Sequence, residues 1–546
     1  MKSRRKKRAH TLPPVVFIAA GVIALLAIVY LAFGIYFRSH FWFRTTINGM
    51  NCSGKTVAEV KQMITKSVDP YTLTITDRSG RSVTISSDEI GLEPEFDGSI
   101  EKELASQKSF GWIVSVFRKT KAELETIVSY DKEKLAGIVD HMACVTESAL
   151  EENKPVDAHI SDFVEGTGFS IVPEVEGAQI DRSKLDDAIA SCIINLTKEL
   201  NLDESDCYVS PKVLADDKTL TDTMTKMNAA TKAAVTYVFG DEEVVCNGGT
   251  FSSWLTYSGD TGFDVDAAQA AAYIASLADQ YDTYGKARSF KTTYGATVTL
   301  STNKYGWQID QETETAQLIE DIKSGTVTSR EPAYSHTGKQ RTGNDYGNTY
   351  VEINLTAQHL YFYVDGALVI ESDLISGNEE TECDTPPGAF SLSYKQKGAV
   401  LRGADYASPV DFWMPFNGNI GMHDASWKSD FGGNYYKYTG SHGCINLPRE
   451  TAETIFNSIH SGDPIFVYEL DGTETEKYWK MIKADEVTYI ILEIGDTVTL
   501  DSKAAIDKAR AAYEALDEEE KGYVRTYDIL TSAEETYAKL TAQTAP

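Results

Sequence analysis

The sequence predicts a single-pass membrane protein whose exported part is a set of α+β stalk domains, then a mainly-β domain, then a small helical C-terminal tail. Three observations predict it. An almost unbroken apolar run from Pro14 to Phe37 follows a basic N-terminus, two α+β stretches between residues 46 and 330 resemble one another, and short alternating apolar runs dominate from 349 to 469 before an alanine-rich helical period takes over. A chain of 546 residues exceeds one compact core and has room for roughly three or four domains.

Residues 1–13 read as a cytoplasmic basic tail and 14–37 as a transmembrane helix. The apolar run is long enough to span a bilayer, which takes about 20 residues. Six cations (Lys2, Arg4, Arg5, Lys6, Lys7, Arg8) precede it, so the positive-inside bias places the N-terminus in the cytoplasm and everything after Arg38 outside. A cleaved signal peptide has a shorter apolar region of about 7–15 residues and a small-residue cleavage site; Tyr36-Phe37-Arg38-Ser39-His40-Phe41-Trp42 supplies none.

A first α+β domain is expected over 46–210. Val57, Val60, Met63 and Ile64 carry helical spacing, and Tyr71–Ile75 with Val83–Ile85, separated by Asp77-Arg78-Ser79-Gly80, read as a hairpin. A second is expected over 211–330. Glu176-Gly177-Ala178-Gln179-Ile180-Asp181 and Tyr305-Gly306-Trp307-Gln308-Ile309-Asp310 each lead into a helix, and Gly91–Asp97 and Thr261–Asp264 form a second matching pair. The period is far longer than a solenoid repeat, so two related domains fit. The polar stretch 331–348 reads as a linker.

From 349 to 469 strands dominate. Val351–Leu355 alternates, Gln358–Val364 continues it, and Asp365-Gly366 suits a tight hairpin before Ala367–Ile370. Residues 470–546 form a helical C-terminal extension, with helical period through Ala504, Ala505, Ile506, Ala509, Ala512, Tyr513 and Leu516 and a second helix over Ser532–Leu540.

The net charge of −30 becomes −36 once the six N-terminal cations are set aside, which argues against nucleic acid as a partner. The seven cysteines stand singly, without C-x-x-C pairs or zinc-site spacing, so neither a dense disulfide framework nor a metal site is expected. An odd number leaves at least one thiol free.

Ser441-His442-Gly443-Cys444-Ile445-Asn446-Leu447 lies between a Gly-rich loop and a helix expected over Glu450–Ile459. A cysteine nucleophile attacks as the thiolate, and a free thiol is mostly protonated at neutral pH, so the chemistry demands a nearby imidazole. Two histidines qualify. His442 projects to the same side as Cys444 if the segment is extended, and His423 is followed by Asp424, which can orient or charge-stabilise the imidazole in a nucleophile, base and orienter arrangement. Backbone amides around Gly443 and Cys444 suit an oxyanion site. Trp413, Met414 and Trp427 flank His423 and either line the acceptor cleft or, the preferred reading, serve as packing residues, and His359 and His460 read as structural or surface residues.

His423, a loop and Ser441-His442-Gly443-Cys444-Ile445-Asn446 resemble the signature of L,D-transpeptidases of the YkuD type. Thr385-Pro386-Pro387-Gly388-Ala389-Phe390 resembles that family's Thr-Pro-x-Gly-x-Phe turn, and Gly462-Asp463-Pro464-Ile465-Phe466-Val467 its closing strand. Upstream, Phe169–Gly177 is the part most similar to the tandem wall-associated, peptidoglycan-binding domains that precede the catalytic domain in some of these enzymes. The tail resembles short two-helix repeats of bacterial surface proteins.

The resemblance implies a cysteine acyltransferase without cofactor. Cys444 attacks the carbonyl of the third residue of a donor tetrapeptide stem, releases the terminal D-alanine and forms a thioester, which an amine of a neighbouring stem or its bridge resolves. His423 is the implied base, with Asp424 beside it. His442 and Gly443 flank the nucleophile and shape the oxyanion site, and Ser441 and Asn446 are implied substrate contacts. Carbapenem acylation is implied too. An L,D-carboxypeptidase using water as acceptor, or a non-catalytic wall-binding protein, remains an alternative.

Overall fold

The computed structural model describes residues 14–125, 127–403 and 407–544; the basic tail read over 1–13 lies outside the described residues. The chain forms two compact units: the first runs to Met224 without Phe163–Gly168, and the second takes that short segment and everything from Thr225 onward.

In the first unit, helix α1 (Pro14–Tyr36) has 23 residues, about 34 Å at 1.5 Å per residue. It is long and apolar enough to cross a membrane, and none of its apolar window is buried by protein. Helix α2 (Val57–Val68) starts at a capping box in which Glu59 N–H donates to Thr56 Oγ1 and Thr56 N–H to the Glu59 carboxylate. Its spacing buries Val60, Ile64 and Val68. Strands β1 (Thr72–Thr76) and β2 (Ser82–Ser86) form the expected hairpin, in register Thr72 to Ser86. Helix α3 (Arg182–Ile194) returns the chain so that β3 (Glu199–Asn201) pairs in parallel with β1. One core, including Ile64, Leu73, Ile75, Leu185 and Ile189, joins these elements.

The second unit repeats that plan. Strands β4 (Ala234–Phe239) and β5 (Glu242–Asn247) make a hairpin, and β6 (Val327–Arg330), delivered by helix α4 (Gln311–Ser324), pairs in parallel with β4. The repeat seen in the sequence is thus a hairpin plus one helix-delivered parallel strand.

Two sheets follow in the same unit. The first is five-stranded, in the order β9 (Ala367–Asp373), β8 (His359–Val364), β7 (Tyr350–Asn354), β15 (Pro464–Tyr468), β10 (Gly388–Ser391), with only β7 and β15 parallel. The second runs β11 (Gln396–Arg402), β12 (Ala407–Asn417), β13 (Ile420–Asp424), β14 (Ile445–Leu447), with β13 and β14 parallel. Helix α5 (Arg449–Ser458) adds Ala452 and Ile455 to a core shared by both sheets, with Ile353, Phe362, Phe412, Met422, Ile445 and Ile465.

The stretch read as a linker over 331–348 is tied in place. The Asp345 carboxylate accepts from the Arg288 guanidinium, Trp307 Nε1–H donates to the Gln340 carbonyl at 2.9 Å, and the Lys339 ammonium pairs with the buried Asp463 carboxylate. Phe290 stacks on Phe466 with ring centroids 4.2 Å apart. The buried Glu352 carboxylate accepts from Thr293 N–H, Thr293 Oγ1 and Tyr468 OH. Long-range ion pairs thus make the stretch read as a linker a fastened strap.

The tail is also more than two helices. Helix α6 (Glu476–Leu492) precedes α7 (Lys503–Glu514) and α8 (Tyr527–Thr544), with a short helix at Glu518–Gly522 between the last two. They share a core of Ala484, Val487, Ile491, Ile506, Ala509 and Leu530.

Candidate active site

Strand alternation places the chemistry. Met422 in β13 and Ile445 and Leu447 in β14 are fully buried in the core, and the strands pair with His423 opposite Asn446. Successive side chains point to opposite faces, so His423, Asn446 and Cys444, immediately before β14, share the other face. There they line one cleft of about 250 Å³ together with Ser441, His442, Trp427 and Lys428.

His423 is buried, and its Nδ1 lies 2.9 Å from the Asp424 carbonyl. A carbonyl only accepts, so Nδ1 carries the proton and Nε2 is left with its lone pair. The orienting group is therefore the main chain of Asp424. Its carboxylate accepts from Phe412 N–H at 2.8 Å instead, so of the two roles expected of this side chain, orienting or charge-stabilising the imidazole, the first passes to the main chain and the second stays with the carboxylate. Burial pushes the His423 pKa down, partly opposed by the Asp424 carbonyl and charge. Burial pushes the Cys444 thiol up. Both shifts favour the neutral thiol and the neutral imidazole over the charged pair.

Cys444 packs against the Ala399, Val410 and Trp413 cluster of the β11–β12 hairpin, and its Sγ donates to the Asn419 carbonyl at 3.6 Å. The segment before it is a turn, not the extended run that put His442 beside Cys444. Gly443 has φ of 110°, a conformation that favours glycine. His442 is exposed and still borders the cleft.

Ser441 is spent on that turn. Its hydroxyl donates to the Cys444 carbonyl at 2.5 Å and accepts from Gly443 N–H at 3.0 Å. The hydroxyl thus staples the turn at the edge of the cleft, and Gly443 N–H is already engaged. From below, Thr385 Oγ1 donates to the Gly443 carbonyl at 2.8 Å and accepts from Gly377 N–H at 3.0 Å. Asn446 is buried with its main chain paired to Ile375 in both directions.

Residues 348–467 match the L,D-transpeptidase catalytic domain model, and 83–200 and 216–328 match that of a putative peptidoglycan binding domain. A cysteine-to-serine mutant of Enterococcus faecium L,D-transpeptidase is 32% identical, with 45% of this chain and all of that one covered and a TM-score of 0.39. This chain belongs to the L,D-transpeptidases. The catalytic domain of the Enterococcus faecium L,D-transpeptidase acylated by ertapenem is 38% identical over 22% of this chain and 98% of that one, with a TM-score of 0.21. A probable L,D-transpeptidase 3 of Mycobacterium tuberculosis is 28% identical over 99 residues, 16% of this chain; the chain spans 35% of that relative's length.

Sequence reasoning missed several residues of this L,D-transpeptidase's cleft. Lys428 sits half-buried with its pKa lowered by burial, and its ammonium donates to the Thr439 carbonyl. Leu401 and Ser408 reach the cleft from the β11–β12 hairpin. Neither position has a local pattern that marks it. Of the two readings for Trp427, cleft lining fits: it is half exposed in the cleft with its ring 5.9 Å from His423, while Trp413 and Met414 are buried in line with the packing reading. His359 pairs with Asp373 at 2.8 Å, a structural contact, and all seven cysteines are free.

Proposed function

We propose that this L,D-transpeptidase forms cross-links between third residues of peptidoglycan stem peptides, through a thioester on Cys444, in cell wall biogenesis. The observation that carries the reading is the shared face of β13 and β14, where Cys444 lies in one cleft with a His423 whose free nitrogen is Nε2. His423 Nε2 takes the Sγ proton as the sulfur attacks the donor carbonyl, then delivers it to the leaving D-alanine amine. Gly443 N–H is engaged by Ser441, so the Cys444 N–H is the assigned oxyanion donor. An acceptor amine then attacks the thioester and regenerates the thiol. Gly443 shapes the turn, His442 borders the donor side, Asn446 holds the floor, and Asp424 acts through its carbonyl.

Helix α1 anchors the chain in the cell membrane in this reading, with the N-terminus cytoplasmic and the catalytic domain on the wall side. The 46–210 and 211–330 domains act as the wall-associated stalk, peptidoglycan stems are the partners, and carbapenems acylate Cys444. The test is intact mass of the full chain, wild type and Cys444→Ala, with a tetrapeptide donor, an acceptor stem and separately a carbapenem. Dimeric stems and a covalent adduct with wild type alone are expected. Tripeptide alone would indicate a carboxypeptidase, and no product with no adduct would overturn the enzymatic reading.

A further inference from the structure

Near the C-terminal end of α1, residues 109–117 form a compact turn, a 3-10 helix at Ser109–Gly111 running into a short helix at Ile113–Phe117. It lies directly against α1. Tyr30 OH donates to the Phe110 carbonyl at 2.7 Å, Trp112 Nε1–H donates to the Tyr30 carbonyl at 3.2 Å, and the Trp112 ring lies 4.9 Å from Phe33. Tyr30 stands six residues before the end of α1, about 9 Å below it at 1.5 Å per residue. If α1 crosses a bilayer, the turn sits at the depth of the headgroups and upper acyl chains.

The turn presents to solvent what that depth requires. Phe110, Ile113, Val114, Val116 and Phe117 are all exposed, Phe117 at 84%, while Ser115 is buried. Five exposed large apolar side chains on nine residues are a large unpartnered patch for a soluble surface. Around them the charge inverts. In a chain of net charge −30, residues 105–122 carry Lys108, Arg118, Lys119 and Lys121 and no acidic residue, and Arg38 and Arg44 lie on the facing strand of chain. Arg44 donates to the Val116 carbonyl at 3.3 Å, and the Arg38 guanidinium lies 5.7 Å from the Phe110 ring.

We propose that residues 109–117 are a membrane-inserted wedge that seats the first stalk unit on an anionic lipid surface, with Phe117 as its most exposed apolar side chain and the flanking cations on the phosphates. Apolar side chains buried at the headgroup boundary with a basic rim are the chemistry of interfacial elements. The wedge fixes the stalk to the bilayer at a second point beside α1, so the helix is not a free swivel. The proposal rests on the reading of α1 as a membrane span.

The test reconstitutes the full chain into phosphatidylglycerol-rich and zwitterionic vesicles whose lipids carry bromine at shallow or deep acyl positions. Phe117→Trp is compared with wild type and with Leu214→Trp, an exposed position of the same unit. The expected result is a blue-shifted added emission from Phe117→Trp, quenched at least twofold more than that of Leu214→Trp and more strongly in anionic vesicles. Carbonate extraction of the wild-type chain reports separately on α1. Retention with an unquenched indole at 117 overturns the wedge alone; release with an unquenched indole overturns both.

Discussion

The buried Asn434 amide donates to the Asp485 carboxylate at 2.6 Å, joining the loop before the nucleophile to α6 of the C-terminal helices. Arg525 donates to the other Asp485 oxygen at 3.0 Å and stacks 3.3 Å from the Tyr438 ring, and Lys477 donates to the Phe431 carbonyl at 2.7 Å. The same loop carries Trp427, Lys428, Thr439 and Gly440 into the cleft. The helical extension is thus a brace for one wall of the active site.

Asp485→Ala removes the acceptor for both donors; leaving the buried Asn434 amide unmet costs about 1–3 kcal/mol, while the exposed Arg525 regains water. Thermal unfolding is expected to shift down by several degrees and carbapenem acylation to slow several-fold. Asp485→Asn, which keeps an acceptor oxygen, should recover most of the acylation rate. Equal rates for the two variants would remove the brace.

Gly443→Ala forces a Cβ onto a backbone with φ of 110°, 3.2 Å from the Ile420 side chain. The strain is about 1–3 kcal/mol and falls on the turn that presents Cys444. Loss of most acylation with nearly unchanged circular dichroism is expected.

Thr385→Val keeps shape but loses the donor to the Gly443 carbonyl and the acceptor for Gly377 N–H. A drop in turnover of tenfold or more with little change in KM is expected, with Thr385→Ser restoring most of it. A change confined to KM would make Thr385 a substrate contact.

The pH dependence follows from two opposed shifts. A His423 pKa below the ordinary 6.5 keeps Nε2 unprotonated down through that value, so acylation should hold constant from neutrality to about pH 6.5 and fall only below it. A Cys444 pKa above the ordinary 9.0 keeps the thiol mostly protonated across the same range, so alkylation by iodoacetamide should keep climbing with pH through 9 without levelling off below it. Mass-resolved rates across pH 5–10 check both. An alkylation plateau at neutral pH would mean a resting thiolate and imidazolium instead.

The nucleophile region was legible because its chemistry is compressed into Ser441–Asn446 with one partner at His423, and the strands over 350–373 because their alternation is regular. The parts that were not legible depend on distance in sequence. Thr385 meets Gly443 across 58 residues, and the strap over 331–348 is held by Arg288 and Asp463, far outside its own polar stretch. Helix α6 was missed because Asp485 and Thr488 are buried alongside Met481, Val487 and Ile491, so polar letters break its apolar period. Ser441 is a different case. Spacing marks its position in the motif, but that its hydroxyl bonds its own turn is a matter of geometry that no spacing records.

The protonated state of Cys444 bears on survival as well as on rate. Peroxides and disulfides react with thiolates, and oxidation of a cysteine begins from that anion. A nucleophile proposed to work outside the cytoplasm has no glutathione pool to restore it. In the proposed mechanism Cys444 releases its proton to His423 when a substrate occupies the cleft, and the burial that pushes its thiol pKa up would then also leave little thiolate for passing oxidants between turnovers.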